Sequence, residues 1–302
     1  MSVADDLAPG DRTRRIARLE LLRALGAVPS LRGDARRRVE DALGLEPFTA
    51  EVHTEVFVLE CPPYASLHLG AEGMLGGDAA DRAAGFARAL DLEPSREPDH
   101  LATLLDLYSY LGEAGVRAGS DAARSASRRS CEALLFEHLW SWIPGYLAAV
   151  CELDRPPATA WASLLMRSIA DEVAAAAPPA RLPLALRLAP EGPHPPLARE
   201  DVLTSVTVPL RAGIVLTRSR LRAAASALGA GMRVGERRYA LGALIDQEPE
   251  GALAWLAAEA GRWAGIHDRA AIPGAAADPA RWWSARAATT GAGLAAALGA
   301  AC

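Results

Sequence analysis

An imidazole beside a carboxylate can move protons or grip a cation, and this chain places such pairs twice. One is Asp99-His100, inside Glu97-Pro98-Asp99-His100-Leu101; the other is Glu137-His138, close to Trp140 and Trp142. In the first, Pro98 and the flanking acids mark a helix entrance, which puts Asp99 and His100 in its first turn. Two readings fit: the carboxylates complement the positive end of the helix dipole, or carboxylate and imidazole together form a polar hot spot for a cationic peptide. The second pair lies in a strongly apolar helix, where core packing and a site compete. A third segment, Cys61 to Leu69, brings Tyr64, Ser66 and His68 after two prolines that must end the preceding helix, with Met74 following in a glycine-rich stretch. Such a loop either binds a partner or turns a corner.

The rest of an enzyme's equipment is missing. None of the six histidines pairs with another at the i, i+4 spacing that would set both on one helix face around a metal. The four cysteines, Cys61, Cys131, Cys151 and Cys302, form no C-x-x-C and read as buried reduced thiols. Gly229-Ala-Gly231-Met-Arg-Val-Gly235 follows a helix and lacks the Lys-Ser/Thr ending of a phosphate loop, so it reads as a helix C-cap and turn. No cofactor and no metal are expected. An acid–base enzyme using Asp99 and His100 stays as an alternative without a nucleophile or metal set to support it.

Composition narrows the partners. Thirty-two Lys+Arg against 37 Asp+Glu leave a net charge of −5, the wrong sign for a surface built on phosphate contacts, so nucleic acid is not an expected partner. No uncharged apolar run approaches the roughly 18 residues of a membrane span. Arg14-Arg15 is followed by a stretch broken by Arg18, Glu20 and Arg23, which forms no export signal. The expected location is the cytoplasm, as a monomer or homodimer.

The elements that position these residues read as all-α. Apolar residues recur at three and four, and Ala, Leu, Arg and Glu dominate. After Pro98, Leu101, Leu104, Leu105, Tyr108 and Leu111 make one stripe, with Gly112 and Gly115 weakening its end. Leu134 to Val150 carries a second, interrupted at Pro144. Further helices are predicted over 11–27, 34–44, 49–60, 79–91, 158–177, 217–229, 235–247, 249–269 and 279–298, with Thr49, Asp78, Thr159 and Asp278 as N-caps. Val202 to Thr217 reads as helix–break–helix, with strand as the competing reading because of its β-branched residues. Seven prolines between Pro178 and Leu197 mark a linker or long stiff loop. The expected organisation is a compact helical domain over 1–177, the proline-rich segment 178–197, and a helical extension over 198–302.

Four segments in order, His53 to Phe57, Pro62 to Ser66, Glu97 to Leu101 and Leu135 to Pro144, resemble the TorD/DmsD/NarJ-type chaperones. The resemblance spans about residues 50–150, and Glu97-Pro98-Asp99-His100-Leu101 is its most specific part. It implies a cytoplasmic helical protein that performs no chemistry, binding a molybdopterin oxidoreductase catalytic subunit or its twin-arginine signal peptide until cofactor insertion is complete. It further implies that Tyr64, Ser66, His68, Glu97, Pro98, Asp99, His100, Leu101, Glu137, His138, Trp140 and Trp142 line or shape a client groove. Carboxylates would meet the arginine pair and aromatic walls the apolar part of the peptide. The alternative is a helical scaffold or regulatory subunit of a redox complex. Residues 198–302 carry no matching motif; solvated arginines and an extended core are the plain reading, a second partner surface the other.

Overall fold

The computed structural model describes residues 9–192, 198–232 and 235–301, and all the elements it contains there are helical. Helix α1 (Pro9–Ala27) lies along α6 (Leu101–Arg117), and between them in sequence come α2 (Gly33–Ala42), α3 (Ala50–Thr54), α4 (Ser66–Leu69) and α5 (Gly77–Ala89). The predicted stripe of α6 is buried throughout. Gly112 does not weaken it: a Cβ there would stand 2.7 Å from Leu19 Cδ2, so the glycine lets α1 approach. Ser109 Oγ donates to the Leu19 carbonyl at 2.8 Å across the same contact.

Helix α7 (Asp121–Leu134) packs on the other side of α6 and was not anticipated, because its sequence is polar with few apolar positions. It runs into a π-helical turn, Leu135–Leu139, matching another at Glu55–Glu60 that continues α3. The chain breaks at Trp140–Trp142 and restarts as α8 (Ile143–Cys151), with Pro144 in its first turn, where a missing N–H costs nothing. Helix α9 (Pro156–Ala175) packs on α8 and α1, and Trp161 Nε1 donates to the Leu25 carbonyl at 2.9 Å.

Over residues 178–192 the proline-rich segment is a packed loop. It contains the turn α10 (Leu184–Arg187), buries Ala185 and Leu186, and is tied at Pro190 by Arg286, whose Nη1 donates to the carbonyl at 2.8 Å. Residues 193–197 of that expected segment lie outside the described residues, as do Arg233 and Cys302.

Beyond it come α11 (Arg199–Val206), α12 (Pro209–Ala212), α13 (Arg218–Ala227), α14 (Arg237–Gln247), α15 (Pro249–Asp268) and α16 (Pro279–Ala301). Val202 to Thr217 is therefore helix, break and one helical turn, followed by extended chain from Ile214, with no strand pairing among the described residues. Gly213, at φ +73, lets α12 meet α16: a Cβ would fall 2.5 Å from the Ala287 amide nitrogen. Apolar residues from both halves form one buried cluster, from Leu19 to Leu294.

Two of the four predicted caps hold: Thr49 accepts from the Val52 amide, and Asp278 accepts from that of Ala280. Asp78 and Thr159 instead lie inside their helices, since α5 begins at Gly77 and the Pro156-Pro157 pair starts α9 earlier. The glycine turn after α13 is as expected, with Gly229 at φ +68 and the Ala230 amide donating back to Ala225. Cys61 and Cys131 are buried, Cys151 half-buried, and all three are free thiols. Among the described residues no helix is long and apolar enough to cross a membrane.

Candidate functional site

The loop Pro62–Ser66 and the helix entrance Glu97–Leu101 dock on one another. The Leu101 amide donates to the Pro63 carbonyl at 2.9 Å and the Ala65 amide to the Asp99 carbonyl at 3.0 Å, an antiparallel bridge between Tyr64 and His100. Asp99 turns inward: it is 3% exposed, and its Oδ2 accepts the Ser66 amide at 2.8 Å, capping α4. His100 Nδ1 accepts the Ala102 amide at 3.0 Å, capping α6, which fixes the proton on Nε2 in the neutral ring. Burial lowers the His100 pKa, against the pull of Glu97 and Asp99. Its ring meets Tyr64 edge to face at 4.7 Å.

Glu97 points the other way. It is exposed, and its Oε1 accepts the Tyr64 hydroxyl at 2.7 Å. Burial and then this carboxylate push the Tyr64 pKa up to about 12, so the phenol stays a donor. Pro98 is half-buried beside it and Leu101 fully buried. Of the five motif residues, Glu97 is the exposed carboxylate, while Asp99, His100 and Leu101 are spent on holding the entrance together.

The second group lies deeper. Ser66 is fully buried, with its Oγ accepting the Gly76 amide, and His68 is 6% exposed, its ring 5.2 Å from Trp142 and 5.8 Å from Tyr146. Burial and then the charge of Arg237 drop the His68 pKa to about 3, so the ring is neutral. Trp140 and Trp142 are buried, and Trp142 Nε1 donates to the His138 carbonyl at 2.8 Å. Glu137 Oε2 accepts the Leu184 amide at 2.7 Å and so fixes the proline-rich loop. His138 packs on Phe86 at 5.3 Å, and burial with the charge of Arg82 lowers its pKa to about 4.

The chain's own C-terminal half covers this second group. Trp283 Nε1 donates to the Ser141 carbonyl at 2.7 Å. His267 lies between Trp263 and Trp283, with Nε2 2.9 Å from the Gly213 carbonyl oxygen and the ring against Gly145. A cavity of about 20 Å³ is left among His68, Trp142, His267 and Trp283. The tryptophans expected as groove walls thus face an internal seam, because apolar residues far along the chain bury them. Among the described residues no three His, Cys, Asp or Glu side chains gather to hold a metal ion.

Residues 28–148 match the family model described as nitrate reductase delta subunit. Over this segment, which is less than half of the chain, it is similar to that family. It is a family of chaperones for molybdoenzyme maturation, not of catalysts. No curated protein and no solved structure matches the chain. The delta-family segment contains both docked motifs and the π-helical turn before Trp140, and it ends within α8, so α9 to α16 fall outside it.

Sequence reasoning missed one polar centre entirely. Glu172 of α9, 3% exposed, accepts from Tyr108 Oη at 2.6 Å, from Arg18 at 2.9 Å and from Arg15, joining α9, α6 and α1. Burial raises its carboxyl pKa, yet Arg15, Tyr108 and Arg18 together outweigh that and hold it below the usual carboxylate range. The available signal was a charge between Ile169 and Val173 on the buried face of an amphipathic helix.

Proposed function

We propose that this chain is a cytoplasmic chaperone that binds an immature molybdopterin-dependent oxidoreductase subunit, through its signal peptide or its apo-enzyme surface. In this reading it assists cofactor insertion, assembly and export quality control. The observation that carries the reading is the docking of Pro62–Ser66 onto Glu97–Leu101 within the delta-family segment. A rigid double anchor of this kind holds one carboxylate, Glu97, outward on Tyr64. An outward carboxylate fixed by a phenol is pre-organised to accept a guanidinium, at low entropic cost. Asp99, His100, Ser66 and His68 act as positioning residues for that surface. Residues 1–177 form the client-binding part in this proposal, and 198–302 support it from behind, with the proline-rich segment between them.

The test is affinity capture of the tagged full-length protein from its native cells, with bound proteins identified by mass spectrometry and Glu97→Arg as the comparison. Recovery of an immature molybdoenzyme catalytic subunit, reduced by the substitution, is expected. Recovery of only mature, cofactor-loaded complexes would favour a scaffold or regulatory subunit, and recovery of no molybdoenzyme subunit would overturn the reading.

A further inference from the structure

A groove of about 400 Å³ runs over the C-terminal half of α6, between α7 on one side and α1 with the end of α9 on the other. Its floor includes Gly112, Gly115, Val116 and Leu135, and Ala175 stands at its exposed edge. The tight α6–α7 contact leaves no room for a side chain at one of these: a Cβ on Gly115 would lie 2.5 Å from Ser127 Oγ.

Four arginines, Arg15, Arg18, Arg124 and Arg128, line it against two carboxylates, Glu132 and Glu172. Glu172 is already held by Arg15, Arg18 and Tyr108. Arg124 bonds Asp121 and the Ala118 carbonyl, at the outer edge of α7. Arg128 is exposed and makes no ion pair among the described residues. With Asp121 counted beside Glu132 and Glu172, four arginines stand against three carboxylates, so the rim keeps one net positive charge on a chain whose net charge is −5. An apolar floor under a cationic rim suits a helix with aliphatic residues on one face and carboxylates along its flanks. Its sign is opposite to what an arginine pair requires, so this groove and the Glu97 surface select different elements of a partner.

We propose that the α1–α6–α7–α9 groove receives an acidic amphipathic helix of the client subunit. The proposal rests on the chaperone reading above and adds a second contact to it. Two contacts of opposite charge select for a client that presents a basic and an acidic element at the right separation, and the joint affinity exceeds either alone.

The experiment places the photo-crosslinking amino acid p-benzoylphenylalanine at position 175 of the full-length chain, and separately at the exposed position 96, which leaves the Glu97 carboxylate in place, in native cells. Crosslinked peptides are then mapped by mass spectrometry. The expected result from position 175 is a segment of a molybdoenzyme subunit with net negative charge and apolar residues at three- and four-residue spacing. Its yield should fall about ten-fold in Arg124→Glu/Arg128→Glu, which corresponds to about 1.4 kcal/mol for the two reversed charges together. Arg128→Glu alone, which breaks no ion pair, should lower it in the same direction with the circular dichroism spectrum unchanged. If the subunit copurifies but position 175 captures a basic segment, or captures nothing while position 96 does, the groove proposal fails and the chaperone reading stands. If no molybdoenzyme subunit copurifies at all, the chaperone reading itself fails and takes the groove proposal with it.

Discussion

Asp99 Oδ2 accepts the backbone amide of Ser66 at 2.8 Å, across 33 residues of sequence. The most distinctive carboxylate of the chain is therefore an internal cap, and its neighbour Glu97 is the one that meets solvent. This separates the two by experiment. Asp99→Ala leaves a buried amide without its acceptor, and we expect a loss of about 2 kcal/mol in urea unfolding. Asp99→Asn keeps an acceptor oxygen and should recover most of it. Glu97→Gln, which still accepts from Tyr64, should stay within about 0.5 kcal/mol of the parent while client capture falls. Equal stability of Asp99→Ala and the parent would show that the cap is dispensable.

Much of the fold was legible because it is local. The stripe from Leu101 to Leu111, the cap at Thr49 and the Gly229 turn all follow from residues within a few positions of one another. The site was less legible because burial of Asp99, His68, Trp140 and Trp142 depends on partners far along the chain, such as Ser66, Trp283 and His267. A carboxylate that caps a remote helix and one that faces solvent look alike in sequence. Helix α7 escaped because its few apolar residues give little periodicity, and π-helical turns leave no mark that separates them from α-helix.

Glu172 offers a test of the polar centre that sequence did not reveal. Replacing it with Gln leaves Arg15 and Tyr108 with a weaker partner inside the protein, and we expect a loss of about 3 kcal/mol at pH 7. The sign with pH follows from its depressed pKa in the folded state. The ionised form stabilises the fold above the ordinary value of 4.5, and that stabilisation disappears as pH falls through the lower folded value. The gap between parent and Glu172→Gln should narrow below pH 4.5 in urea melts; a gap that stays constant would place the effect in packing alone.

His68 acts in the same direction over a higher pH range. Its folded pKa is lowered to about 3 by burial and then by Arg237, against an ordinary 6.5. The neutral ring stabilises the fold fully above 6.5, and stability is lost as pH falls from there toward about 3. His267, lowered to about 4 chiefly by burial, loses stability over an overlapping range. The parent should weaken steadily on acidification below pH 6.5. His68→Phe keeps a ring against Trp142 and removes the titration, so its stability curve should be flatter by about 1 kcal/mol per pH unit. An unchanged slope between the two proteins would mean that the His68 ring is charged in the folded state.

Trp283 decides whether the two halves stand or fall together. It is 6% exposed, donates to the Ser141 carbonyl, and stacks on His267 at the seam that covers Trp142. Trp283→Ala removes a buried ring and leaves a carbonyl of the delta-family segment unpaired, at a cost of about 3 kcal/mol or more. If the shared buried cluster couples the halves, native-state hydrogen exchange should quicken by a similar factor in α6 and in α16, and urea unfolding should remain a single transition. Faster exchange confined to α15 and α16, with α6 protected as before, would instead make the delta-family segment an independently stable unit on which the C-terminal helices merely rest.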